Sequence, residues 1–149
     1  MNEDLQTVID AVKELLNDTN LDPMAEAVVN RLVSFGFTPT NADVWSIAFS
    51  IEKSVNHVLN QINHSTVPDG LVEITVDMAC GEFLDAKFMS GQLDMSGLDL
   101  DGIIESIHEG DTTVSFGQDG SDSSKFKDLV NWLKDGRGCD FLCFRKMRW

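Results

Sequence analysis

The chain has 149 residues, of which 42% are hydrophobic, and this is enough apolar material for one domain with its own core. Lys and Arg number 11 against 25 Asp and Glu, so the net charge is −14 and the surface repels phosphate rather than gripping the outside of nucleic acid. No apolar run approaches the roughly 20 residues that span a bilayer, and the acidic start MNEDLQTV is unlike a secretory signal.

Two amphipathic helices are predicted at the start of the chain. The stretch Leu5–Leu16 repeats apolar side chains at helical spacing and forms a single stripe. Asp22 and Pro23 are typical of an N-cap followed by the first helical position, and Gly36 is typical of a left-handed helix end. A second helix is therefore expected from Asp22 to the residues before Gly36.

Two further helices are predicted to complete a helical body over residues 1–89. An apolar stripe over Val44–Ile62 predicts a long third helix, and Trp45 and Phe49 are expected to widen its buried face. The fourth, Leu71–Met89, is apolar on most of its circumference, although β-branched residues near its start also allow a local strand. A helix that is apolar nearly all round belongs in the middle of a bundle or at a subunit interface.

The stretch Ile103–Gly117 follows a loop rich in Gly and Asp and predicts a β-hairpin. It contains an apolar run, the turn Glu109-Gly110-Asp111 and the alternating residues Thr113–Phe116. The apolar residues over 100–107 also fit a helical stripe, so the first strand of the hairpin is ambiguous from the sequence alone.

A last helix over 123–135 and an extended tail over 139–149 are predicted after the hairpin. The fold class is thus mainly α: a single domain built as a helical bundle with a small β-hairpin and an extended C-terminal tail. Residues 137–149 carry four basic residues against one acid, a net charge of +3, and the remaining seven basic and 24 acidic residues give −17.

The tail CDFLCFRKMRW interleaves aromatic and basic residues, a composition enriched in protein–protein interfaces. Two interpretations are equally favoured. The tail either docks on a partner, or folds back over its own core with its basic ends lying on the acidic body.

No catalytic or metal-binding signature accompanies these elements. The acidic loop Asp94–Glu105 resembles a calcium loop, but with Gly102 at the sixth position the first and twelfth positions fall on Gly97 and His108. Cys139 and Cys143 form a lone pair without the second pair that a zinc site needs, and an odd cysteine count favours free thiols in a reducing cytoplasm. No nucleophile, base and orienting group can be assembled, so neither an enzyme, a cofactor nor a metal site is predicted.

Four motifs, taken in order, resemble the head–tail connector (adaptor) family of tailed bacteriophages and prophages. They are Val67–Leu71 before the fourth helix, Asp77–Leu84 within it, Glu109–Phe116 in the predicted hairpin, and the ending Phe144–Trp149. The resemblance runs from about Asp22 to the C-terminus.

The resemblance implies a structural protein of the virion neck, made in the cytoplasm of the bacterial host. Members form a ring, usually of twelve copies, between the portal protein and a stopper or tail-side protein, and DNA passes through the ring without specific binding. In relatives the C-terminal segment often reaches up to dock on the portal, and the family has no catalytic residues. The partner-binding residues expected here are Glu109, Asp111, Thr113, Phe141, Phe144, Arg145, Lys146, Arg148 and Trp149.

Two other classes of protein remain open from the sequence. One is an acidic regulator or DNA mimic that binds a basic partner as a monomer or dimer. The other is a small ligand- or metal-binding module that uses the loop Asp94–Glu105.

Overall fold

Five α-helices make up most of the part of the chain that the structure describes. The computed structural model describes residues 3–93, Leu98, Leu100, Ile103, 122–135 and Arg145. The helices are α1 (Glu3–Leu16), α2 (Asp22–Ser34), α3 (Val44–Ile62), α4 (Val72–Met89) and α5 (Asp122–Asp135). Single 3-10 turns lead into three of them, at Thr19–Leu21, Asn41–Asp43 and Asp69–Leu71. Within these residues there is no strand, so the predicted mainly helical fold class is confirmed.

The ends of α2 and α3 follow from local capping. Gly36, just after α2, has φ +94°, and Asn63, just after α3, has φ +58°, so both helices end in a left-handed residue as Gly and Asn allow. The start of α2 differs from the prediction, because Leu21 rather than Asp22 occupies the N-cap. The turn before it is capped instead by Asp18, whose side chain accepts a hydrogen bond from the Asn20 amide at 3.0 Å.

Helix α4 is the centre of the bundle and packs against α2, α3 and α5. This central position explains why its sequence is apolar nearly all round. Thr75, one of its β-branched residues, is fully buried and donates its hydroxyl to the Leu71 carbonyl at 2.7 Å, so its polar group is satisfied inside the helix. The stretch Val72–Met89 is thus helical, and the local strand that its β-branched residues also allowed does not form there.

Helices α4 and α5 approach each other closely at Gly81. A Cβ added there would lie 2.9 Å from Leu133 Cβ and 2.9 Å from Lys134 Cγ. Lys134 also joins the two helices through its ammonium, which lies 3.1 Å from Asp85 Oδ2 and 3.7 Å from Glu82 Oε1. Burial lowers the pKa of Lys134, but the hydrogen bond to Asp85 and the charges of both carboxylates outweigh it and leave the pKa raised.

The prediction that Trp45 and Phe49 widen the buried face of α3 is wrong. Trp45 is 66% exposed and Phe49 51% exposed. The covered face of α3, against α1, α2 and α4, is already filled by another row of side chains. The buried members of that row include Val44, Ile47, Ala48, Ile51, Val55, Val58 and Ile62.

Most of the predicted hairpin and tail lies outside the described residues. Of Ile103–Gly117 only Ile103 is described; it has helical backbone, as Leu100 does, and both side chains are buried in the main core. At Leu100 and Ile103 the backbone is therefore helical, as the helical stripe predicted, and not part of a strand. Of the tail over 139–149, only Arg145 is described.

Among the described helices, none combines the length and the apolar character that a membrane crossing requires.

Candidate partner-binding surface

The exposed face of α3 carries a pair of aromatic rings. Trp45 and Phe49 are four residues apart, so they lie on the same face of the helix. Their rings stack with centroids 5.2 Å apart and an interplanar angle of 11°. Stacked aromatic rings on a water-facing surface are typical of sites that contact another molecule. We refer to Trp45 and Phe49 as the aromatic pair.

The row of the aromatic pair continues along α3 into a groove. Glu52 and Asn56 follow at helical spacing on the same face, and both line a groove of about 720 Å³. The end of α1, the start of α2, α3 and the segment before α4 enclose it. We call it the α3 groove. Its apolar lining comes from Leu16, Leu21, Pro23, Met24, Val55, Leu59, Val67 and Val72.

Three carboxylates line the α3 groove together with its apolar residues. Asp18, Glu52 and Asp69 line it and are exposed, and its described lining includes neither Lys nor Arg. No described cation pairs with Glu52 or Asp69. A surface with apolar walls and uncompensated negative charge favours a ligand that offers apolar side chains together with positive charge.

A second depression, between α2 and α4, is less suited to a partner. Its volume is about 460 Å³, and Arg31 and Asp77 line it. The Arg31 Nε lies 3.1 Å from Asp77 Oδ1, and the guanidinium lies 4.8 Å from the Phe35 ring centroid. Arg31 and Asp77, two of the charged residues of this depression, are therefore already engaged with each other.

Neither Cys80 nor the described acidic and histidine side chains form a thiolate or metal centre. Cys80 is buried in α4, where its thiol donates to the Val28 carbonyl at 3.7 Å. Burial, and secondarily the charge of Asp77, raises the pKa of the Cys80 thiol, so the nucleophilic thiolate is disfavoured. Across the described ranges, no three His, Cys, Asp or Glu side chains are placed to hold a metal ion.

The residues that the sequence singled out for partner binding lie almost entirely outside the described residues. Arg145 is the exception, and it is exposed and outside regular secondary structure. Those outside are Glu109, Asp111, Thr113, Phe141, Phe144, Lys146, Arg148 and Trp149. Most of the loop Asp94–Glu105 and the pair Cys139 and Cys143 also lie outside.

The aromatic pair and the α3 groove were missed by the sequence reasoning, although the helical register contained a signal. Trp45 and Phe49 fall in one row with the polar residues Glu52 and Asn56, whereas the buried side chains of α3 fall in another. Aromatic residues that share a row with polar ones indicate an exposed face. The α3 groove itself has no such signal, because four separate segments form it.

No family model, no curated protein and no solved structure matches the chain. The function is therefore inferred from its own residues.

Proposed function

We propose that this chain is a head–tail connector of a tailed bacteriophage. Copies form a ring that joins the portal protein to the stopper or tail-side protein, and DNA passes through the centre. The order of the four motifs supports this assignment. The protein works by contact alone, without a cofactor, a metal or catalytic chemistry.

The observation that carries the proposal is the aromatic pair beside the α3 groove. A connector must present surfaces that neighbouring proteins cover. Here two large aromatic rings are exposed on α3, and the same row of α3 continues into an apolar groove. Two of the motifs also lie where they support this body. Val67–Leu71 leads into α4, and Asp77–Leu84 contains the Gly81 contact with α5.

The charge distribution fits a ring through which DNA slides. Residues outside 137–149 carry a net charge of −17. An acidic lumen repels the phosphate backbone and keeps DNA from adhering during its passage.

The C-terminal segment 141–149 is the docking segment of this proposal. Deleting Arg145–Trp149 should abolish the joining of heads to tails in a phage complementation assay, because the three basic residues and Trp149 of the anchor are lost. Circular dichroism of the truncated chain should still show a folded helical protein. Replacing the same five residues with Gly and Ser provides a control of unchanged length. Heads and tails that join normally with the truncated chain would rule out this docking role.

Native mass spectrometry of the full chain, alone and with the portal protein, tests the assignment as a whole. A ring, or a tight complex with the portal, is the expected result. A monomer or dimer that binds only a basic host protein would favour the acidic regulator instead. A mass shift on adding calcium, without portal binding, would favour the ligand-binding module.

A further inference from the structure

We propose that the α3 groove and the aromatic pair bind the C-terminal segment 141–149 of a neighbouring copy of this chain. The inference rests on the proposed ring, because it identifies a contact that would repeat from copy to copy. The docking segment would then bind a second copy of this chain, whereas the family resemblance implies that it binds the portal protein.

The chemistry of the segment complements that of the groove. The segment reads FLCFRKMRW and places five large apolar residues beside Arg145, Lys146 and Arg148. The groove offers apolar walls, and Asp18, Glu52 and Asp69 line it without a described cation opposite Glu52 or Asp69. Apolar side chains can fill the groove while the basic ones reach its carboxylates.

The length of the C-terminal segment also matches that of the binding surface on α3. From Trp45 to Leu59 the helix rises about 21 Å, at roughly 1.5 Å for each residue. An extended chain covers at most about 3.3–3.6 Å per residue, so six or seven residues follow this length of α3. The nine residues of the segment are enough to reach from the aromatic pair to the far end of the groove.

Charge explains why a neighbouring copy is a suitable occupant. Each copy carries a net charge of −14, so two copies repel each other at long range. A basic segment placed on an acidic groove brings opposite charges together where the copies touch. Because each copy supplies one segment and one groove, the contact is head-to-tail, and such contacts form a ring when the rotation closes.

Cross-linking of the full chain tests the contact directly. Asn56 is exposed and lines the groove, Cys143 lies within the segment, and Cys80 is buried. The Asn56→Cys variant is treated with a short-arm bismaleimide, using an equal mixture of ¹⁵N-labelled and unlabelled protein. Peptides that link residue 56 to Cys143 and combine both isotopes are expected, together with a ladder of covalent oligomers. An Asp10→Cys variant, on the exposed side of α1, is the matched control and should give few such links.

Charge reversal tests whether the groove is the receptor. Adding Glu52→Lys and Asp69→Lys to the Asn56→Cys variant should lower the yield of mixed-isotope links by about fivefold, since the segment is basic. Adding Asp10→Lys should leave the yield unchanged. Links found only within single chains would mean that each segment covers its own groove and would overturn the inference. A yield no higher than that of the Asp10→Cys control would overturn it as well.

The outcome is separable from that of the proposed function. Rings on the portal without links between residue 56 and Cys143 would leave the connector assignment standing and remove this contact. Links between copies in a protein that does not bind the portal would support this contact and remove the connector assignment.

Discussion

Asp43 shows how one side chain supports several parts of the fold. It is buried at the start of α3, where its carboxylate accepts a hydrogen bond from the Thr40 amide at 3.0 Å and pairs with the ammonium of Lys87. The same ammonium lies 6.0 Å from the ring centroid of Phe37 and 5.9 Å from that of Phe83. A single charge pair between the buried Asp43 and the half-buried Lys87 thus connects the entry of α3 to the end of α4, and cation–π contacts add to it.

Cys80 provides a prediction at the same scale. Its burial and raised pKa mean that the native protein should not react at this thiol with iodoacetamide at pH 8. Peptide mapping by mass spectrometry should find Cys80 unmodified in buffer and alkylated after unfolding in urea. Alkylation of Cys80 in the native protein at a rate comparable to that in urea would contradict the buried position.

Helix packing explains why a glycine occupies position 81, within the motif Asp77–Leu84. Glycine in the interior of a helix costs about 1 kcal/mol relative to alanine, so the sequence alone gives no reason for it. The contact between α4 and α5 supplies the reason, because the backbone of α4 at this point lies against Leu133 and Lys134.

The variant Gly81→Ala tests this contact. The added Cβ would lie 2.9 Å from Leu133 Cβ, which is fixed to the backbone, so the helices must move apart. Overpacking of this kind typically costs about 1–3 kcal/mol and outweighs the helix propensity gained. We expect a lower free energy of unfolding in urea than for the native chain. Ala86→Gly, at an exposed position of α4, is the control for propensity alone. An increase in stability on Gly81→Ala would contradict the close approach.

The charge of the whole molecule sets how it responds to DNA. A net charge of −14 on 149 residues places repulsion, rather than attraction, between the protein and a duplex. Proteins that bind DNA through phosphate contacts gain affinity as salt is removed, because they release counterions. The proposed connector role requires that the protein gain no affinity for DNA as salt is removed.

Mobility-shift assays with the full chain and a random duplex test this response. We expect no retardation at about 150 mM salt, and none at about 20 mM, since weaker screening strengthens the repulsion. A matched basic DNA-binding protein in the same assay shows that binding would be detected. Affinity that rises as the salt concentration falls would show that the basic tail dominates over the acidic body.

The helices were predictable because their causes are local. Apolar spacing within α1 and α3, Pro23 at the start of α2, and the left-handed residues Gly36 and Asn63 all act over a few neighbouring positions. The capping of α2 was displaced by one residue because a 3-10 turn intervenes, and that turn depends on Asp18. The C-terminal segment was chosen as a site from its composition and from the family resemblance, and the hairpin from the resemblance; both remain predictions.

The sequence by itself determined that this protein is mainly helical, where most of its helices end and how its charge is divided, because each depends on adjacent residues or on composition. Tertiary structure alone decided which helices cover α4 and that four distant segments enclose the α3 groove. These features depend on which helix covers which face of its neighbours. Contacts between residues far apart in the chain determine this pairing, so no local sequence pattern predicts it.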